Sequence, residues 1–169
     1  MTTTLYAQPY DISAVGFYFR DPDEYTARAA ACRNDLGQPV EEFEIQFIDG
    51  EAFDCALAVA WGLNQANHAH FLAAVSDWDD DQKRRFIVAV GECGYAFDPE
   101  RIDPDDFDVD FYGVDSLTEL AEQFVDEGFY GEIPDALAYY IDHVAIARDL
   151  SAEFSMIEIA GERFAYACR

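Results

Sequence analysis

The chain has 169 residues, 51% of them hydrophobic, with 14 Phe, 10 Tyr and 2 Trp, so it can fill a core and is not a disordered acidic tail. Thirty-five Asp and Glu against ten Lys and Arg leave a net charge of −25. That balance argues against direct contact with nucleic acid or an anionic membrane and draws the chain toward basic surfaces, the commonest large ones being nucleic-acid-binding grooves. The plain alternative is a well-solvated, salt-adapted surface.

Val15, Phe17 and Phe19 alternate with Gly16 and Tyr18 and predict a short strand. Asp21-Pro22-Asp23-Glu24 then supplies an N-cap, a first-turn proline and a glutamate at N3, predicting a helix to about Asn34. Phe43, Ile45 and Phe47 alternate with Glu44 and Gln46 in a second strand that stops at Asp49-Gly50. Residues 1–51 thus read as a strand-helix-strand module.

The period then changes. Phe53, Ala56, Leu57, Ala60 and Trp61 recur at helical spacing up to Gly62. Asn64 caps an expected helix burying Phe71, Leu72 and Val75, and Asp79 to Asp81 open a third that buries Phe86, Ile87 and Val90. Residues 52–97 read as a central helical module. Its basic cluster, Lys83, Arg84 and Arg85, is expected to pair with nearby acids of the same chain.

Residues 98–169 read as a C-terminal α+β module. It opens on seven acids and one base, Arg101, between Asp98 and Asp110. Phe107, Val109 and Phe111 alternate there with Asp106, Asp108 and Asp110, which predicts a strand projecting three aspartates about 6.6–6.8 Å apart. Leu117, Leu120, Ala121, Phe124 and Val125 form one helical face, with Ser116 and Glu119 at capping-box spacing and Gly128 at the end. Glu119, Glu122, Asp126 and Glu127 lie outside it. A second helix is expected from Pro134 to Leu150 with Leu137, Tyr140, Ile141 and Val144 buried. Two strands are expected to close the chain, one carrying Phe154, Ile157 and Ile159 and, after Gly161, one around Phe164 and Tyr166. The fold class expected is α+β, as an elongated chain of these three small modules.

Signals for catalysis are weak: there is no GxGxxG, Walker loop, GxSxG or HExxH. His68 and His70 are two apart on an expected helix and point away from each other; His143 stands alone. The cysteines Cys32, Cys55, Cys93 and Cys168 form no CxxC pair, which disfavours zinc and reads as reduced thiols. Asp106-Phe107-Asp108-Val109-Asp110 resembles the start of an EF-hand loop, but Phe111 stands where glycine is needed and Leu117 where glutamate is needed. The expectation is no enzyme, no cofactor and no metal. The opening MTTTLYAQPYD lacks the regions of a signal peptide and no apolar run approaches the ~18 residues of a membrane span, so the expected location is the cytoplasm.

What ordered carboxylates can do is imitate phosphates. Those at i, i+3 and i+4 on a helix stand about 5–6 Å apart at Cβ, and duplex DNA carries about one charge per 1.7 Å of axis. The residues expected to form such a surface are Asp103, Asp105, Asp106, Asp108, Asp110, Glu119, Glu122, Asp126 and Glu127.

The stretch Gly131 to Leu150, GEIPDALAYYIDHVAIARDL, resembles the antirestriction segment of the ArdA family. The most specific parts are Glu132-Ile133-Pro134, Tyr140-Ile141-Asp142 and Arg148-Asp149-Leu150 in that order and spacing. The preceding acidic helix and the closing strands also fit, so the resemblance runs from about Gly113 to the end. It implies an acidic DNA mimic, carried by mobile elements, that occupies the DNA-binding groove of type I restriction–modification enzymes as a homodimer, without binding nucleic acid or membrane itself. The alternatives are an inhibitor of another DNA-binding defence protein, such as a CRISPR effector, and a small acidic metal-binding protein or hydrolase.

Overall fold

The computed structural model describes residues 2–169 and divides the chain into two compact units, Met1–Phe107 and Asp108–Arg169. Helices and two separate antiparallel three-stranded sheets make the fold α+β, as expected from the sequence.

In the first unit, β1 (Thr4–Pro9) lies between β2 (Phe17–Phe19) and β3 (Phe43–Asp49). The central strand is the element the sequence reading did not identify. Its signal is short but regular: Leu5 and Ala7 are buried while Tyr6 and Gln8 are half-exposed. Pro9 is tolerated because the Tyr10 N–H donates to the Glu42 carbonyl. That makes Pro9–Phe43 a pair without ladder bonds, where a missing N–H costs nothing. Gly16 must be glycine, since a Cβ there would lie 2.4 Å from the Ala7 carbonyl oxygen.

Asp21 caps α1 (Pro22–Ala31) by accepting from the Glu24 N–H. The core face of the sheet meets α1 and α3 (His68–Asp77) through Phe17, Phe19, Tyr25, Phe43 and His68, with Tyr25 and His68 rings 4.2 Å apart. α2 (Ala52–Trp61) ends at Gly62 in the left-handed conformation. Asn64 organises the turn before α3, accepting from Ala66 and Asn67, and Asn67 rather than Asn64 stands at the N-cap.

A complete capping box of Asp79 and Gln82 starts α4 (Asp80–Phe86), which runs into a π-helical turn over Ile87–Glu92. The wider turn lets Phe86, Ile87, Val88 and Ala89 all be buried, where a 3.6-residue period would turn some outward. Val90, expected in the core, is half-buried. Trp61 stacks on Phe86 at 4.9 Å, with Phe71, Trp78 and Phe97 around it.

The basic cluster pairs internally. Lys83 Nζ lies 2.7 Å from Asp54 Oδ1 with both residues buried, and Thr3 Oγ1 donates to Asp54 Oδ2 at 3.1 Å. Arg84 pairs with Asp81, and Arg85 donates to the Phe107 carbonyl. Cys32 and Cys55 are free thiols, as read from the sequence, whereas Cys93 and Cys168 are in the disulfide form.

In the second unit the sheet order is β4 (Val109–Gly113), β6 (Glu162–Cys168), β5 (Ser155–Ile159). α5 (Leu117–Asp126) and α7 (His143–Leu150) pack together. Leu120, Ala121, Phe124, Ala147, Leu150 and Phe154 form the core with Ala165 and Ala167 of β6. Two sequence expectations change here.

Asp106 ends a 3-10 turn, Pro104–Asp106, and β4 begins only at Val109. Asp103 holds that turn by accepting from the Asp105 N–H. Asp106, Asp108 and Asp110 therefore do not share one strand.

The helix expected from Pro134 to Leu150 is broken. Pro134 precedes a single turn, α6 (Asp135–Ala138), and Asp142 starts α7 afresh by accepting from the Ala145 N–H at 3.0 Å. An aspartate at an N-cap competes with continuing the helix through it. Leu137, Tyr140 and Val144 are consequently exposed, and Ala147 and Leu150 are the buried residues.

Candidate functional site

The acids concentrate in one stretch of the sequence that runs from the end of the first unit into the second. From Asp98 to Asp135 there are fourteen acids and one base, Arg101. In the first unit Asp98, Glu100, Asp103, Asp105 and Asp106 are exposed on the loop that carries the 3-10 turn. Gln82 reaches Asp105 Oδ2 at 3.2 Å and ties that loop to α4.

In the second unit the sequence dictates how α5 displays its carboxylates. Leu120, Ala121 and Phe124 are buried, so the same helical period leaves Glu119, Glu122, Asp126 and Glu127 exposed on the other side. Glu119, Glu122 and Asp126 follow one another at i+3 and i+4, which sets neighbouring Cβ atoms about 5–6 Å apart.

The helix is fixed at both ends. Ser116 accepts from the Glu119 N–H, and Glu119 Oε2 accepts from the Asp115 N–H at 2.7 Å. At the other end Gly128 adopts φ 77° and donates to Val125, while Phe129 donates to Phe124 and stacks on its ring at 4.4 Å. This double bond pattern with its apolar contact satisfies the last carbonyls and sets the angle at which the chain leaves α5. Gln123 also donates to Glu127 Oε1 at 2.9 Å.

Past Gly128 the chain lines a shallow groove of about 890 Å³, whose walls include Asp126, Glu127, Glu132, Ile133, Pro134, Asp135 and His143. The groove brings together residues that the sequence reading had put in two groups, the acidic helix and the antirestriction-like segment. Around it Phe129, Tyr130, Leu137, Tyr139, Tyr140 and Val144 are all more than half exposed.

The remaining segment residues divide by burial. Ile141 is half-buried, Asp142 caps α7, Arg148 and Asp149 are exposed, and Leu150 is in the core. Asp110 is not an isolated charge: Arg169 lies 2.5 Å from its Oδ2 and also pairs with Glu153, and these two carboxylates push the guanidinium pKa up. Asp108 is exposed. Phe129, Tyr130 and Tyr139 are exposed aromatics that the sequence pattern does not single out.

The ArdA antirestriction family model matches residues 20–162 of the 169. The chain belongs to the ArdA family. The match reaches well beyond the C-terminal third that carried the resemblance, through the helices and β3 of the first unit. Membership makes this an antirestriction protein, of a family that inhibits restriction–modification enzymes. No curated protein matches the sequence. Among the described residues no group of three or more His, Cys, Asp or Glu is arranged to hold a metal ion, and no helix is long and apolar enough to cross a membrane.

Proposed function

We propose that the protein is a DNA mimic that occupies the DNA-binding groove of a type I restriction–modification enzyme. The observation that carries this reading is the outer face of α5. Glu119, Glu122, Asp126 and Glu127 are exposed along one rigid helix anchored by Leu120 and Phe124 and capped at both ends. Charges fixed in a row lose little conformational entropy on binding, in contrast to a disordered acidic tail. A basic groove built to neutralise phosphates meets there a comparable density of negative charge.

The working form is a homodimer, supported by the six exposed large apolar side chains between Phe129 and Val144, a patch of the kind that subunit contacts cover. Two chains carry about fifty net charges, equivalent to roughly 85 Å of duplex. The mimic surface comprises Asp103, Asp105, Asp106, Asp108 and Asp110 with the α5 acids. Leu150 and Asp142 hold the fold of the segment.

The test is a type I cleavage and methylation assay with purified protein and added competitor DNA. Inhibition that is relieved as DNA rises supports groove occupancy. Inhibition independent of DNA concentration refutes it. Gel filtration at two protein concentrations tests the dimer.

A further inference from the structure

The outer edge of β3 faces an apolar groove that nothing in the mimicry reading uses. β3 pairs only with β1. The Tyr10–Glu42 bond fixes the parity of the ladder: Glu44 and Gln46 bond to β1, and Phe43, Ile45 and Phe47 turn their N–H and C=O groups outward. The first of these outward positions is already occupied. The Gln65 side-chain amide accepts from the Phe43 N–H at 2.9 Å and donates to the Glu41 carbonyl at 2.8 Å, as a peptide unit of an added strand would. Among the described residues no partner reaches the outward groups of Ile45 and Phe47. Beside them Cys55, Ala58, Val59 and Leu63 complete a groove of about 390 Å³, and Val59 is 81% exposed.

We propose that this groove between β3 and α2 binds an extended basic peptide segment of a partner protein, which adds to β3 as a fourth strand. Unpaired main-chain groups on an edge strand accept an extended chain, and the adjoining groove takes its alternate apolar side chains. Charge selects the occupant. Glu41, Glu42, Glu44, Asp49 and Glu51 are exposed along the edge, and no Lys or Arg occurs between Arg33 and Lys83. A second copy pairing through this edge would set these acids against their equivalents, whereas Lys and Arg flanks on a peptide are attracted. The opposite edge, β2, is three residues long and offers no such length.

The experiment titrates the full-length protein with the capped octapeptide Lys-Lys-Val-Thr-Val-Thr-Lys-Lys, followed by amide NMR and hydrogen exchange. The expected result is shifted resonances at Ile45, Phe47, Val59 and Leu63, with exchange at Ile45 and Phe47 slowed at least tenfold. Val59→Arg, at an exposed position, and a peptide N-methylated at alternate backbone nitrogens each weaken binding at least tenfold. The proposal is overturned if saturating peptide leaves those resonances unshifted, or if the N-methylated peptide or a Glu-for-Lys peptide binds equally well. It is also overturned if the protein self-associates through this edge, seen as sedimentation that Val59→Arg makes independent of concentration. No restriction enzyme enters the test, so its outcome is separate from that of the mimicry reading.

Discussion

Replacing Lys83 with methionine isolates a buried ion pair of the first unit. Met retains most of the apolar stem and removes the ammonium, so Asp54, 2% exposed, keeps only the Thr3 hydroxyl at 3.1 Å. A buried carboxylate that loses its counter-charge costs about 3–5 kcal/mol. At about 2–4 °C per kcal/mol for a chain of this size, melting should fall by roughly 6 °C or more. Urea denaturation followed by tryptophan fluorescence reads this directly, because Trp61 and Trp78 both lie in the first unit. Lys83→Met with Asp54→Leu should recover most of the loss, since an apolar pair removes both charges together. A single variant within about 1 kcal/mol of wild type would refute this reading of the pair. So would a double variant that is no more stable than Lys83→Met.

Three further outcomes are expected. Gly128→Ala should destabilise the protein by about 1–2 kcal/mol, because its φ of 77° is the whole cost and no atom lies within 4 Å of the new Cβ; thermal denaturation checks it. Burial holds the His68 imidazole below its ordinary pKa, opposed by its contact with the Gln65 carbonyl. The unfolded chain therefore takes up the proton first, and the contribution of His68 is complete above about pH 6.5 and lost as pH falls through the folded value. The stability difference between wild type and His68→Asn should narrow from pH 8 to pH 5, a comparison that cancels the relief of self-repulsion on acidification. Glu119→Gln, Glu122→Gln, Asp126→Asn and Glu127→Gln should each weaken inhibition about twofold or less, as exposed charges in a shared field do. Together they should weaken it at least tenfold in the cleavage assay.

Most of the helices and strands were legible because burial is one-sided. Leu120, Ala121 and Phe124 on α5, and Phe43 and Ile45 on β3, carry the helical and strand periods directly. β1 was not legible because its inward residues include the small Ala7 and it ends at Pro9, so little apolar signal marks it. The continuous helix over 134–150 failed for the opposite reason. Leu137, Tyr140, Ile141 and Val144 have helical spacing, but the Asp142 cap divides the segment and leaves three of the four exposed. The pairing of Lys83 with Asp54 was legible only as a class of contact, since the two are far apart in sequence. The groove uniting Glu127 with Glu132 and Pro134 depends on how the chain leaves Gly128, a matter of backbone angle that periodicity does not carry.

Inhibition of a type I enzyme measured across salt concentration tests the shared anionic surface most directly. If fixed carboxylates stand in for phosphates, the logarithm of the inhibition constant should rise linearly with the logarithm of salt, with a slope of several units. The slope should become shallower in the variant with all four α5 acids neutralised. A constant that does not change with salt, together with loss of inhibition on neutralising one acid alone, would contradict it.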